Sequence, residues 1–93
     1  MGTFHQNKHE WHGITLVVDT VGDEVFVGRC DDMDAREVIL LDVGHHRDGE
    51  DGKSKDDYIQ AAVKFGIWKR HDRVVLPLAQ VATVKPLGEY ADE

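Results

Sequence analysis

The residues best suited to binding chemistry lie in one short segment, FGIWKRHDR, at positions 65–73. It combines a tryptophan with three cations, and single-stranded nucleic-acid sites use this pairing of a stacking ring with positive charge. The alternative interpretation is structural, with the tryptophan and the preceding isoleucine packed against a core and the cations in solvent. The candidate nucleic-acid-binding residues of this segment are Trp68, Lys69, Arg70 and Arg73.

Histidines suggest a second kind of site. His5, His9 and His12 are spaced by four and three, so a helix would place all three on one face, as an imidazole-bound zinc ion requires. His45 and His46 could supply a fourth ligand. We nonetheless predict no bound metal, because adjacent and terminal histidines are commonly solvated and no cysteine joins them.

The nucleophiles and acids do not indicate an enzyme. Ser54 is placed to cap a helix, and Cys30 lies in an apolar run where a thiol behaves as a small hydrophobe. The aspartates at 31, 32 and 34 fit a turn in which their carboxylates bond to their own backbone. We therefore predict no catalytic residue and no cofactor.

Length and composition limit the function classes further. A chain of 93 residues forms one domain with a thin core, which favours association between copies. Its net charge of −7 argues against coating DNA or an anionic membrane. The single cysteine indicates a reducing compartment, and no apolar run reaches the roughly 20 residues of a membrane span. We expect a cytoplasmic protein.

The apolar patterns predict a mainly β domain over residues 1–93. Its β-branched runs and turn residues predict five strands, and apolar residues at helical spacing predict one secure helix. The expected elements are an N-terminal segment 1–13 with a short helix, strands at 14–20, 24–30 and 37–43, a mobile loop at 44–53, a helix at 54–66, strands at 73–77 and 79–86, and a frayed tail at 88–93.

The helix has clear limits. Ser54 and Asp57 are spaced as a capping box, and Gly66 is a typical helix end. Between them an apolar stripe should face the core, formed by Tyr58, Ile59, Ala62, Val63 and Phe65.

Five short strands can bury a common core only by curling into a small barrel, with Gly28 at a bend. An oligonucleotide-binding fold, which also has five strands and a helix, is the closest architectural alternative.

The stretch VVDTVGDEVFVGRCDDMDAREVILLDV resembles the first motif of the Sm-like (LSm) family. The resemblance consists of Gly28, Cys30, Asp34 and the apolar run at 38–41. RVVLPLAQVATVKP resembles the second motif, and its VATVKP end is similar to the fifth strand of the bacterial Hfq-like branch. The resemblance implies a strongly bent Sm-like (SH3-like) barrel, with the helix as an insertion between the third and fourth strands.

The resemblance also implies a homo-oligomeric ring of five to seven copies, in which the fourth strand of one copy pairs with the fifth strand of the next. An exposed edge strand would gain a partner in this way. The alternative is a monomeric barrel with the same residues in its core. The interface candidates are Val74, Leu76, Val81 and Val84.

RNA binding is the family function that the resemblance implies, with Asp34 near the pore. The base-holding asparagine of the family has no match, because Glu37 and Val38 occupy the positions that could correspond to it. Leu78 and Ala79 stand where the bacterial branch has Lys-His. The sequence thus favours an Sm-like ring that binds single-stranded RNA. The alternative is an acidic adaptor for a protein partner.

Overall fold

The computed structural model describes residues 11–92. It contains a five-stranded antiparallel sheet, one α-helix between the third and fourth strands, and three short 3-10 helices. The strands are β1 (Thr15–Thr20), β2 (Glu24–Met33), β3 (Glu37–Arg47), β4 (His71–Pro77) and β5 (Val81–Pro86); the helix is α1 (Lys55–Phe65); the 3-10 helices are Glu50–Gly52, Leu78–Gln80 and Leu87–Asp92.

The predicted strand order along the chain is confirmed, and the sheet order is β4-β3-β2-β1-β5. Every neighbouring pair is antiparallel. Within residues 11–92, β4 and β5 do not pair with each other, so they form the two edges of a bent sheet that is not closed. The sequence predicted a closed barrel, and the structure has a bent, open sheet instead.

Gly28 lies at the bend, as predicted. Opposite it the β2–β3 register shifts, because Asp42 and Val43 on β3 face a single residue on β2. Asp42 has a left-handed φ of 54°, as an extra residue in a bulged strand often has. A Cβ at Gly28 would lie 3.1 Å from the Leu41 carbonyl oxygen and 3.1 Å from Val43, so glycine is required at this crossing.

Apolar residues are buried on both faces of the sheet. One cluster fills the concave interior, and a second lies between the other face of β1 and β2 and helix α1. β1 contributes to both clusters, since Leu16 and Val18 point to the first and Val17 to the second. The interior cluster consists of Leu16, Val18, Phe26, Cys30, Met33, Val38, Leu40, Val43 and Leu76.

The four predicted interface residues pack within their own chain. Leu76 belongs to the interior cluster, and Val74, Val81 and Val84 pack against it. Their side chains therefore contribute to the core of their own copy. Among the described residues, β4 and β5 each have one edge without a neighbouring strand.

Cys30 is buried with 1% of its surface exposed, as predicted. Burial, and to a lesser extent the nearby Asp32 and Asp31 carboxylates, raise the pKa of its thiol. A thiol held in its neutral form and out of solvent is a poor nucleophile.

Helix α1 begins and ends as predicted. The Asp57 backbone N–H donates to Ser54 Oγ at 3.1 Å, and the Ser54 N–H donates to Asp57 Oδ2 at 3.2 Å, which completes the capping box. Gly66, with a φ of 90°, ends the helix. Lys55 Nζ ties its first turn to the β1–β2 turn by donating to Asp19 Oδ1 at 2.7 Å. Unlike the prediction, Phe65 does not face the core but is 84% exposed.

Strand β3 extends further than the sequence pattern indicates. Residues 44–47 of the predicted loop continue the ladder with β2, and only the following residues turn. The reason is that His45 stacks on Phe26 and His46 stacks on Tyr58, so the partly buried His45 and the buried His46 pack as aromatic rings. A polar Gly-His-His-Arg segment gives no apolar periodicity from which this could be predicted.

The C-terminal segment also differs from the frayed tail that the sequence predicted. Leu87–Asp92 forms a 3-10 helix, and Tyr90 is buried against Val17, Val25 and Ile59 in the second cluster. Lys85 Nζ lies 4.5 Å from the centroid of the Tyr90 ring. The Tyr90 ring thus helps α1 to cover this face of the sheet.

The predicted N-terminal helix falls mainly on residues 1–10, which lie outside the described residues. Among residues 11–92, no helix combines the length and apolar character needed to cross a bilayer.

Gly44 allows α1 and the segment after it to lie against β3. A Cβ at this position would overlap Tyr58 Oη, lie 2.8 Å from Ile67 Cγ2 and lie 3.1 Å from the Trp68 carbonyl oxygen. Since these contacts are with separate parts of the chain, no single side-chain rotation would make room.

We predict that Gly44→Val destabilises the fold by about 1–3 kcal/mol, because the added methyl groups overpack this contact. Urea unfolding followed by circular dichroism measures the change. Gly88→Ala is the matched control, since a Cβ at Gly88 meets no atom within 4 Å. Equal stability of the two variants would contradict the role given to Gly44.

We predict that Ser54→Ala lowers the free energy of unfolding by about 1 kcal/mol, because it removes the N-cap acceptor of α1. Ser54→Asp keeps a capping oxygen and should retain most of the stability. Thermal and urea unfolding compare the two variants. A loss of the same size in both would show that the serine acts in some way other than as a cap.

Candidate functional site

The Trp68 segment is the connection between α1 and β4. Gly66 turns the chain away from the helix, and the Arg70 N–H donates to the Val43 carbonyl at 2.7 Å where β4 begins. Ile67 packs against the second core cluster, whereas Trp68 is 82% exposed. The structural interpretation therefore holds for the isoleucine and not for the tryptophan.

Two hollows meet at Trp68. The first, of about 370 Å³, is lined mostly by polar and charged residues and is called the polar hollow, and the second, of about 300 Å³, is mainly apolar. Lys53, Tyr58 and Trp68 line both. The other lining residues of the polar hollow are His45, His46, Glu50, Asp51 and Arg70. Those of the apolar hollow are Ala61, Ala62, Phe65 and Gly66.

A stacked ring pair forms one wall of the polar hollow. The His46 and Tyr58 centroids are 4.7 Å apart with an interplanar angle of 5°. His46 Nε2 donates to the Lys53 carbonyl at 2.9 Å, which fixes the ring from its far side. Burial raises the pKa of the Tyr58 phenol, so the phenol keeps its proton as a hydrogen-bond donor.

Glu50 joins this wall to the Trp68 segment. Its carboxylate accepts from the Arg47 backbone N–H at 3.2 Å and from Arg70 at 3.2 Å. The Arg47 N–H first, and the Arg70 guanidinium after it, lower the pKa of Glu50. Arg70 is thus held by a carboxylate within the protein.

Lys69 is paired in the same way. Its ammonium lies 2.7 Å from Asp72 Oδ1 and 3.2 Å from Asp42 Oδ1. These carboxylates raise the pKa of Lys69, with the Asp72 contact contributing most. A phosphate group would have to displace carboxylates from both Lys69 and Arg70, which weakens any phosphate track along this segment.

Asp34 lies far from Trp68. It forms the β2–β3 turn, where its Oδ1 accepts from the Arg36 N–H at 2.8 Å and from the Glu37 N–H at 3.0 Å. Glu37 pairs with Pro77 at one end of the β3–β4 ladder, and Trp68 precedes the other end. Six residues of strand separate the ends by roughly 20 Å. The structure therefore does not bring Asp34 together with the other RNA-binding candidates.

Two exposed arginines, one on β4 and one in the β2–β3 turn, have no ion-pair partner among residues 11–92. Arg73 is exposed on β4 opposite Leu41, and Arg36 is exposed in the β2–β3 turn. The Arg36 carbonyl accepts from the Leu78 N–H at 2.8 Å, so this turn touches the β4–β5 turn. Arg73 was among the RNA-binding candidates predicted from the sequence, but Arg36 was missed. Its place in a turn, two residues after Asp34, was the signal that it would be exposed.

The candidate histidine cluster lies mostly outside the described residues. His5 and His9 lie outside the described residues, and His12 Nδ1 donates to the Asp31 carbonyl at 2.7 Å. His45 is engaged elsewhere, since its Nε2 donates to Glu24 at 2.9 Å. Residues 11–92 contain no group of three His, Cys, Asp or Glu side chains placed to hold a metal ion.

The apolar hollow follows one face of α1. Tyr58, Ala61, Ala62 and Phe65 are spaced by three, four and seven positions from the first, so they form a continuous stripe. Trp68 stands across from this stripe. The prediction that Tyr58 and Ala62 face the core is confirmed, since Ala62 belongs to the second cluster and Tyr58 packs against it. Phe65 is the exception, because apolar spacing alone does not tell which end of the stripe is covered.

We predict that Arg70→Ala raises the pKa of Glu50 toward its ordinary value, though not fully, because the Arg47 N–H remains. The carboxylate stabilises the fold above its ordinary pKa, and this contribution is lost as the pH falls through the lowered folded-state value. Carboxyl ¹³C NMR titration measures the shift. Arg73→Ala is the control, and an unchanged Glu50 pKa in Arg70→Ala would rule out the ion pair.

Comparison with known proteins supports the fold. No model of a known protein family matches the chain, and no curated protein matches it. An Sm protein from Pyrococcus abyssii, solved in complex with a uridine heptamer, aligns with a TM-score of 0.60 and 22% identity over 84% of this chain and 89% of that one. A chain of the NatC complex, solved bound to CoA, aligns with a TM-score of 0.58 and 19% identity over 90% and 88%. The chain therefore has an Sm-like fold.

Proposed function

We propose that this protein is an Sm-like module that assembles into a homo-oligomeric ring of five to seven copies and binds single-stranded RNA. The observation that supports it best is the open sheet, whose edges are β4 and β5. Pairing of β4 with β5 of the next copy would satisfy both edges and close a ring. A relation to the bacterial Hfq-like branch, a cytoplasmic location and the lack of catalytic activity belong to the same proposal.

The side chains of the two edges are consistent with this pairing. Val75 on β4 is 39% exposed, and Ala82 and Thr83 on β5 are exposed. The inward-facing side chains of both strands already fill the core of their own copy. The contact between copies would therefore come mainly from backbone hydrogen bonds along the two edges.

RNA binding has its support in the fold, since the Pyrococcus abyssii Sm protein was solved with a uridine heptamer. In this chain the exposed Arg36 offers positive charge in the β2–β3 turn, and the exposed Arg73 offers it on β4. A ring would repeat each of them in every copy and so gather cations that a single acidic protomer lacks. Trp68 would be a separate stacking position.

We predict a solution mass of five to seven protomers of 10.5 kDa each, measured by light scattering coupled to size exclusion. Val75→Lys and Ala82→Pro should lower the mass to that of a monomer, because they place a charge or a missing N–H on an edge. Val21→Lys is the matched control, as Val21 is 71% exposed in the β1–β2 turn.

A monomeric wild type would contradict the ring. A ring that persists in both edge variants, with circular dichroism unchanged, would contradict this mode of pairing.

We predict saturable binding of a uridine-rich oligoribonucleotide that weakens with salt, because phosphate contacts release counterions. Titrations with uridine-rich and adenine-rich RNA at two salt concentrations measure it. Arg36→Ala and Arg73→Ala should each weaken binding and reduce the salt dependence, whereas Lys64→Ala on α1 should not. No binding at either salt concentration would remove RNA from the proposed function and leave the ring unaffected.

A second candidate function is that of an adaptor that binds a protein partner through α1. It is favoured by the net charge of −7, by the carboxylates already paired with Lys69 and Arg70, and by two exposed aromatic rings. The net charge and the paired carboxylates weaken a phosphate site, and the exposed rings could contact apolar side chains of a partner.

A further inference from the structure

We propose that the apolar hollow beside α1 binds a short acidic, amphipathic segment of a partner protein, an inference that rests on the second candidate function. The proposal is based on two exposed aromatic rings that flank one groove. Phe65 is 84% exposed and Trp68 is 82% exposed. We call this hollow the Phe65–Trp68 groove.

Exposed aromatic rings at this density are costly to leave in water. Single apolar residues on a surface are ordinary, but two large rings on either side of a hollow form a patch of the kind that marks an interaction site. Aromatic residues also contribute a large share of binding energy in protein interfaces. The stripe Tyr58, Ala61, Ala62 and Phe65 leaves two small side chains in the floor, so an incoming side chain has room.

The volume limits what the groove accepts. About 300 Å³ is at the small end of ligand pockets, which suits one or two apolar side chains of a peptide. The adjoining polar hollow, reached past Tyr58 and Trp68, gives a bound chain a hydrophilic continuation. Recognition would follow the helix-in-groove mode, in which apolar anchors enter and polar residues remain at the rim.

The charge of the groove lining indicates which kind of segment would bind there. Among the described residues that line the groove, Lys53 is the one charged side chain, and within residues 11–92 its ammonium has no ion-pair partner. A carboxylate on the incoming segment would pair with it. In an isologous contact between two copies, the two Lys53 ammonium groups would repel each other, which disfavours self-association.

RNA is the other macromolecule to consider, because a base could stack on Trp68. Each additional nucleotide would bring another phosphate next to Lys69 and Arg70, which are already paired with carboxylates. An acidic peptide needs only one or two carboxylates near Lys53, and apolar contacts supply the rest. The observations therefore favour the peptide.

The experiment is a selection of displayed random peptides on the full chain, with counter-selection on the double variant Phe65→Ser/Trp68→Ser. We expect enriched peptides to share two large apolar residues and at least one Asp or Glu. Absence of any enrichment that depends on the two rings, or enrichment of Lys- and Arg-rich peptides, would overturn the proposal.

Fluorescence anisotropy then measures the enriched peptide on single variants. We expect at least a tenfold loss of affinity for Phe65→Ser and for Trp68→Ser, and a smaller loss for Lys53→Glu. Val21→Ser, which removes an equally exposed apolar side chain elsewhere, should bind like the wild type. Urea unfolding should show that all variants keep their stability, since the two rings make little core contact.

Uridine-rich RNA is titrated on the same variants. If RNA binding is lost in Phe65→Ser and Trp68→Ser while no peptide is selected, the groove is a nucleic-acid site and the peptide proposal is wrong. The mass of the wild type is independent of both results. Failure of the groove is thereby distinguishable from failure of the ring.

Discussion

The fold depends on the burial of β1 and β2 on both faces of one sheet. A sheet of five short strands can enclose an interior only on its concave side, so the convex side of its central strands needs a cover from elsewhere in the chain. Helix α1 provides most of it through Ile59 and Ala62, and Tyr90 provides the remainder. The bulge opposite Gly28 makes the concave side possible, and Gly44 lets the covering segment lie close to β3. The close approach of the Trp68 backbone to β3 depends on Gly44.

This requirement accounts for which parts of the structure could be predicted. Apolar alternation and β-branched residues were sufficient for the strands, and the capping box and Gly66 were sufficient for the helix limits. The bend at Gly28 was also predictable, because a glycine inside an apolar strand usually marks a bulge or a close approach of another backbone segment. The resemblance to Sm-like proteins came from the same positions, and the similarity to solved structures supports it for the fold.

The parts that could not be predicted are those where polar residues are buried or apolar residues are exposed. His45 and His46 extend β3 because their rings stack on Phe26 and Tyr58, contacts that are set by tertiary neighbours and not by local pattern. Phe65 belongs by spacing to the apolar face of α1, yet it is the last residue of the helix and is 84% exposed. The candidate site was only partly predictable, because some of its contacts join distant parts of the chain. The segment 65–73 was identified, and it contains Asp72, the nearer partner of Lys69, whereas Asp42 and Glu50, which also pair with Lys69 and Arg70, are distant in sequence.

The distribution of charge separates two surfaces with different chemistry. Lys69 and Arg70, next to Trp68, are neutralised within the protein, so Lys53 is the lining cation there without an ion-pair partner among the described residues. Arg36 in the β2–β3 turn and Arg73 on the edge strand β4 also have no ion-pair partner in the described chain. The proposed assembly through the edges would therefore repeat these arginines around the ring, together with the Phe65–Trp68 groove. Repetition matters for both surfaces, because several weak sites on one rigid ring bind a multivalent partner far more tightly than one site does. A domain too small to bury much surface alone would in this way gain both stability and affinity from the same edge contacts.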